Sequence, residues 1–222
     1  MEPQFYKGNR DAFMEKLAPG SLALFFSGVP VRKTADEDYA YFANRNFVYL
    51  TGMEQKDTIL MLEKDASGYR ETLFILPPNL IEERWTGARM KPEEIEAASM
   101  ISNFAYRDTF EEELKKVLAS GRIEKVYLDI DRMDGQVVVS GADSMETFLK
   151  QEYPNLLIEN SLPILKKLRL IKKPCEIRAM EKAQEITKAG ILAMMTHSKP
   201  GMYEYQYKAE YDYALAQHGV LE

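Results

Sequence analysis

The sequence predicts an α/β fold: a mixed β-sheet flanked by helices, followed by two helices that have no strand of their own. Three observations predict it. Short apolar runs of strand length alternate with stretches of helical periodicity through residue 170, the interleaving expected of a sheet covered by helices. Two of those runs are joined by the turn-forming Lys64-Asp65-Ala66-Ser67-Gly68, which makes a hairpin and therefore a sheet that is not purely parallel. After Lys172-Lys173-Pro174 the strand pattern stops and apolar residues recur only at helical spacing.

Taken in order, residues 10–17 read as a helix ending near Pro19-Gly20, and 21–26 as a strand. Residues 32–38 are polar with mixed charge. The run Phe47-Val48-Tyr49-Leu50, closed by Thr51-Gly52, reads as the second strand. Residues 58–63 and 71–76 form the hairpin, and Pro77-Pro78 ends it. Pro92 suits the first turn of a helix, with Glu93 and Glu94 near its positive end. Thr109-Phe110-Glu111-Glu112 has the form of a capping box. Behind it Phe110, Leu114, Val117 and Leu118 make one apolar face, stopped at Gly121. Residues 126–130 read as a strand, Ser144 as the cap of a helix through Lys150, 156–159 as a strand and 162–170 as a helix. Pro174 then opens a helix carrying Ile177, Met180, Ala183, Ile186, Ile191 and Met194. Pro200-Gly201 breaks it, and a last helix spans 204–218 before Gly219.

Composition narrows the function classes. The 222 residues are 45% hydrophobic and 29% charged, enough apolar content for one large domain or for one domain and part of another. The net charge of −6, with no block of Lys or Arg, gives no footprint for nucleic acid and none for a membrane surface. No apolar run approaches the roughly 18 residues of a spanning helix. The amino terminus lacks a basic region followed by an apolar run, and a single cysteine, Cys175, rules out an internal disulfide framework. The expectation is a reducing, cytoplasmic setting. No phosphate-binding glycine pattern occurs.

Four stretches, in order, carry a family resemblance. Residues 34–52 hold an Ala-Asp pair, a Tyr-x-Tyr, an Asn, and an aromatic-rich run ending in Thr-Gly. Trp85-Thr86-Gly87-Ala88-Arg89 has the form Trp-x-Gly-x-Arg. Leu168-Arg169-Leu170-Ile171-Lys172-Lys173-Pro174 with Glu176-Ile177, and Pro200-Gly201-Met202-Tyr203-Glu204-Tyr205, complete the set. Together they resemble the aminopeptidase P (Xaa-Pro aminopeptidase) family of creatinase/prolidase metallopeptidases. The resemblance implies a creatinase-like N-terminal domain over residues 1–172. It implies that 173–222 are the first two helices of a truncated catalytic domain of pita-bread fold.

That catalytic domain, in the family, binds two divalent metals, usually manganese, on two Asp, one His and two Glu. The metals activate a water or hydroxide that attacks the peptide bond preceding proline. Residue by residue, no metal ligand or catalytic residue carries over, because the first metal-binding Asp falls beyond Glu222; Asp212 and His218 match no ligand position. The expectation is that the segment alone binds no metal and has no activity. It would contribute homo-oligomer contacts and part of the mouth through which a peptide with proline second enters. The alternatives are a non-catalytic interaction module of the same fold, or a fragment of a prolidase-type dipeptidase.

Trp85, the only tryptophan, is the one tentative substrate-binding residue. Its ring could pack on a substrate in a neighbouring subunit's mouth, or pack as an aromatic at a subunit contact. Arg84 and Arg89 read as solvated or salt-bridged. Asp129 to Gly135 resembles a calcium loop but has Met133 at its fifth position, Asp134 at the sixth where Gly is required, and Ser140 at the twelfth where Glu is required. His197, His218 and Cys175 have no visible catalytic partners. Lys173 and Cys175 stand where the family more often has Ser and an acidic residue, a weaker helix cap with no effect on chemistry.

Overall fold

The computed structural model describes residues 1–132 and 139–220. It divides into two compact units, Met1–Leu170 and Ile171–Glu222. The first is the expected mixed sheet flanked by helices. Its strands are β1 (Ser21–Phe26), β4 (Ile59–Asp65), β5 (Gly68–Ile75), β6 (Phe104–Tyr106), β7 (Lys125–Leu128) and β8 (Leu157–Asn160), in the order β6-β5-β4-β1-β7-β8. The β4–β5 hairpin is antiparallel, and so is β1 against β4. The pairs β5–β6, β1–β7 and β7–β8 are parallel. A separate two-stranded ribbon, β2 (Arg32–Thr34) and β3 (Glu37–Asp38), is the polar mixed-charge stretch.

Strand β1 explains why its sequence shows no alternation. Ala23 and Phe25 face one cluster, with α1 (Pro3–Glu15), α2 (Arg45–Thr51), α4 (Pro92–Ser99) and α7 (Leu162–Leu170). Leu22 and Leu24 face the other, with α5 (Phe110–Ala119) and α6 (Gly141–Glu152). A strand covered on both faces is apolar throughout. Edge-on ring pairs tie helix to sheet on each side: Phe13 on Phe25 at 5.3 Å and Phe110 on Phe74 at 5.1 Å.

One buried cation joins four elements. Arg10 of α1 is fully buried. It donates to the Glu71 carboxylate of β5 (2.7 and 3.2 Å), to the Leu50 carbonyl in the last turn of α2 (2.8 Å) and to the Ser99 carbonyl that ends α4 (2.9 Å). A guanidinium suits this place because its five donors fan out in a plane and its charge meets two negative helix ends.

Four sequence expectations are corrected. Residues 47–50 are not a strand but lie within α2. The Asn44 carboxamide oxygen accepts from the amides of Asn46 (2.8 Å) and Phe47 (3.0 Å), and Gly52, at φ +74°, ends the helix. A cap and a left-handed stop with seven residues between them outweigh the strand preference of an aromatic run too short to show a period. The first helix begins at Pro3, well before residue 10, with the proline in its first turn. Thr109 does not cap α5. It closes a 3-10 turn (Arg107–Thr109) in right-handed helical geometry, and its hydroxyl donates to the Tyr106 carbonyl at 2.8 Å. The cap of α6 is Ser140, not Ser144. Its Oγ accepts from the Asp143 amide (3.1 Å) while the Asp143 carboxylate accepts from the Ser140 amide (3.0 Å). The helix α3 (Leu80–Thr86) and strand β6 have no counterpart among the predicted elements.

The second unit is two helices, α8 (Pro174–His197) and α9 (Glu204–Ala216). At the start of α8, the Glu176 carboxylate accepts from the Lys173 amide at 2.9 Å, which is half of a capping box without a capping hydroxyl. The crossing of α8 and α9 depends on Gly190. A Cβ there would lie 2.5 Å from the Tyr211 ring and 2.8 Å from Leu215. Gly190→Ala adds roughly 0.5–1 kcal/mol of helix preference against an overpacking cost of about 1–3 kcal/mol. Faster hydrogen exchange along both helices, with residues 1–170 unchanged, is the expected result. Unchanged protection in α8 and α9 would show that the close approach is not needed.

Candidate functional site

The segment that carries Trp85 is built to display it. Asn79 opens α3, its side-chain oxygen accepting from the amides of Ile81 and Glu82, both at 3.2 Å. The Glu83 carboxylate accepts from the Asn79 amide at 2.8 Å, completing the exchange at the helix start. At the other end Gly87, at φ +90°, turns the chain out of the helix. Arg89 then folds back to pair with Glu82 and donate to the Pro77 carbonyl. Lys56, just before β4, reaches the same Glu82 at 3.0 Å. Hydrogen bonding from Lys56, and then from Arg89, holds the Glu82 carboxyl below the usual carboxylate range. The clamp therefore stays ionised at mildly acidic pH.

All of these anchors lie on the polar side of α3, and the apolar side chains are left outside. No residue of α3 is buried. Trp85 is 87% exposed, Leu80 79% and Ile81 77%. Ile81 and Trp85 are four residues apart and so lie on the same helical face. Three large apolar side chains of this short segment therefore stand in water. In the Trp-x-Gly-x-Arg motif the glycine turns and the arginine clamps, and only the tryptophan points away. Arg84 is exposed and Arg89 is salt-bridged.

The stretch of residues 34–52 is tied into the first unit by hydrogen bonds. Tyr41 donates to the carbonyls of Ser27 (3.0 Å) and Gln55 (3.2 Å), Asn44 starts α2, and Thr51 and Gly52 finish it. Its Asn46 reaches Asp129 at the end of β7, donating from Nδ2 to both carboxylate oxygens at 2.9 and 3.0 Å. Arg169 donates to the Asn46 oxygen and lies over the Tyr49 ring at 5.6 Å. Burial pushes the Asp129 carboxyl above its ordinary range, against the lowering effect of Asn46 and Asn44. Residues 133–135 of the calcium-loop resemblance lie outside the described residues. His197 pairs with Glu210 at 2.7 Å and Asp212 with Lys208. Among the described residues no three His, Cys, Asp or Glu side chains converge as a metal site, and no helix is long and apolar enough to cross a membrane.

Solved structures share this architecture along the whole chain. An E. coli aminopeptidase P determined with the inhibitor Pro-Leu matches 99% of the chain at 27% identity, with a TM-score of 0.84, over 50% of its own length. A Bacillus anthracis protein whose aminopeptidase P assignment is itself an inference matches 100% of the chain at 30% identity, with a TM-score of 0.95, over 53% of its length. The class these matches define is the aminopeptidase P fold. Among curated proteins, the Xaa-Pro aminopeptidase of E. coli strain K12 is 28% identical across 98% of the chain and 50% of its own length. Human Xaa-Pro aminopeptidase 3 is 25% identical across 83% of the chain and 37% of its own. The family model of the aminopeptidase P N-terminal domain matches residues 6–127, and the chain belongs to that family. It spans about half the length of the E. coli relative.

Two measurements follow. As the sole tryptophan, Trp85 should emit as a water-exposed indole, open to acrylamide quenching. Trp85→Ala should change the unfolding free energy by less than about 0.5 kcal/mol; a blue-shifted emission, or a larger loss, would show a packed ring. For Asp129, a raised folded pKa means that the native state binds its proton more readily than the unfolded chain. Its contribution is therefore present at low pH and is lost as pH rises from about 3.9 through the raised value. In urea denaturations across this range, Asp129→Asn should gain stability relative to the native sequence as pH rises. A difference that does not vary with pH would contradict the assignment.

Proposed function

We infer that this chain is the N-terminal portion of a metal-dependent Xaa-Pro aminopeptidase, which releases the first residue of peptides with proline second. The observation that carries the inference is the match of the whole chain, in both units, to the leading half of aminopeptidase P. In this reading residues 1–172 are the N-terminal domain and 173–222 the first two helices of the catalytic domain. The ligands for two divalent metals, manganese by family resemblance, would come from sequence outside this chain. The described residues do not form a ligand set, so no hydrolytic step is assigned to them. The setting proposed is cytoplasmic, and the assembly a homo-oligomer.

Trp85 is then a residue of the substrate mouth, acting on a neighbouring subunit. Its exposure, the exposed Leu80 and Ile81 beside it and the clamp behind it support that role. A flat ring can stack on a proline ring, and the ion pairs on Glu82 hold the backbone from which it projects.

The test uses the whole reading frame that contains this chain. With added manganese, its product should cleave Xaa-Pro-Yaa tripeptides, and the 222-residue chain alone should not. Trp85→Ala in the complete enzyme should lower kcat/KM by roughly 3- to 10-fold, as for loss of one aromatic contact, with the metal content unchanged. Hydrolysis by the isolated chain would overturn the assignment. So would a reading frame without a ligand-bearing second half, and cleavage of Xaa-Pro dipeptides alone would make the parent a dipeptidase.

A further inference from the structure

A cleft of about 640 Å³ opens within the first unit, where the parallel neighbours β1 and β7 both end. Clefts at the carboxyl ends of strands are where open α/β sheets take small ligands, and this volume is in the usual range for such sites. Its walls are apolar: Phe26, Phe42, Phe110, Met145 and Phe148. The packing that makes the wall is tight, since a Cβ on Gly141 at the start of α6 would lie 2.8 Å from the Phe26 ring.

Among the polar groups lining the cleft, the Asp129 carboxylate stands apart. It is 7% exposed. Asn46 Nδ2 bonds both of its oxygens, and Asn44 contributes a further side-chain hydrogen bond. A carboxylate offers about four lone-pair sites, so it retains capacity to accept. Among the described residues, no Lys, Arg or His nitrogen pairs with it within 4.0 Å. The cation on the rim, Arg107, is held by Asp57 at 2.9 Å. Asp131 adds negative potential, partly offset by the charge of Arg169 behind Asn46, and Glu111 lines the same cleft. The start of α6 offers little to an anion, because Asp143 already occupies it and bonds the Ser140 amide. A buried carboxylate whose nearest cation reaches it only through an amide is still costly, and a ligand that brings an ammonium group into direct contact lowers that cost.

We propose that this cleft binds a small organic ammonium ion: a primary amine on an aromatic or aliphatic body, its nitrogen on Asp129 and its body among the phenylalanines. The proposal is independent of the peptidase reading and is tested by binding to this chain alone. Three probes share one body: 2-phenylethylamine, 2-phenylethanol and 3-phenylpropionate, titrated by NMR chemical shift. The amine should bind saturably and the alcohol roughly tenfold or more weakly, as for a lost charged hydrogen bond, with the carboxylate weaker still. Asp129→Asn should bring the amine down to the level of the alcohol. Ser144→Trp, at an exposed position on the cleft lining, should weaken amine and alcohol together without touching the core. Equal binding of amine and alcohol would overturn the proposal. So would preference for the carboxylate, indifference to either substitution, or no saturation by the amine below about 10 mM.

Discussion

The guanidinium of Arg10 sits where α1, α2, α4 and β5 meet, and both α2 and α4 end against it. Two helices terminate on its N–H groups through the Leu50 and Ser99 carbonyls, and Glu71 supplies the countercharge. Without it, a partly buried carboxylate and two helix-end carbonyls would lose their donors, a loss on the order of 3 kcal/mol. That is a large part of the stability of an ordinary domain. The constraint also sets geometry. The planar fork fixes where α2 and α4 stop relative to the sheet, and hence where Asn44 and Asn46 stand at one end of α2.

From Asn44 and Asn46 the arrangement extends across the sheet. Asn46 reaches the carboxylate at the end of β7, and Arg169 near the end of α7 reaches Asn46. One short polar helix therefore links the α1 layer to the cleft and to the last turn of the first unit. The segment that displays Trp85 is held differently, by surface ion pairs on Glu82 and by caps, with no apolar burial of its own. Anchors of that kind fix a direction at little cost in core packing. They suit a segment whose apolar face is left for another surface.

What could be read from the sequence followed from how local each signal is. The hairpin, β1, β7, β8, α7 and the two terminal helices are legible because turn residues, prolines and periodicity sit inside the elements themselves. Residues 47–50 were misread because four apolar residues fit a strand or a helix equally well, and the deciding cap, Asn44, lies outside the run. The signal was available: Asn, then an apolar run, then Thr-Gly is a helix start and stop. The same holds for Ser140 with Asp143, a box that opens four residues before Ser144. Strand β6 is three residues long and owes its existence to the neighbouring edge of β5, which no local pattern reports. Trp85 was legible as a motif residue, though its exposure was not. The cleft was invisible, since Phe26, Phe110, Asp129 and Phe148 come together only when the sheet is formed.

The position of β1 has a consequence for synthesis. This strand leaves the ribosome early, yet one of its partners, β7, pairs Ser21 with Lys125 and Leu24 with Leu128. Its other edge waits for β4, where Phe26 meets Ile59. The β4–β5 hairpin can form as soon as it emerges, but the six apolar or small residues of β1 stay unpaired on one side until more than half of the chain has been made. Such a nascent chain exposes its most aggregation-prone strand for longest. Antiparallel docking of β4 is then more than a feature of topology: it is the first shelter available to β1 while the second is still being translated.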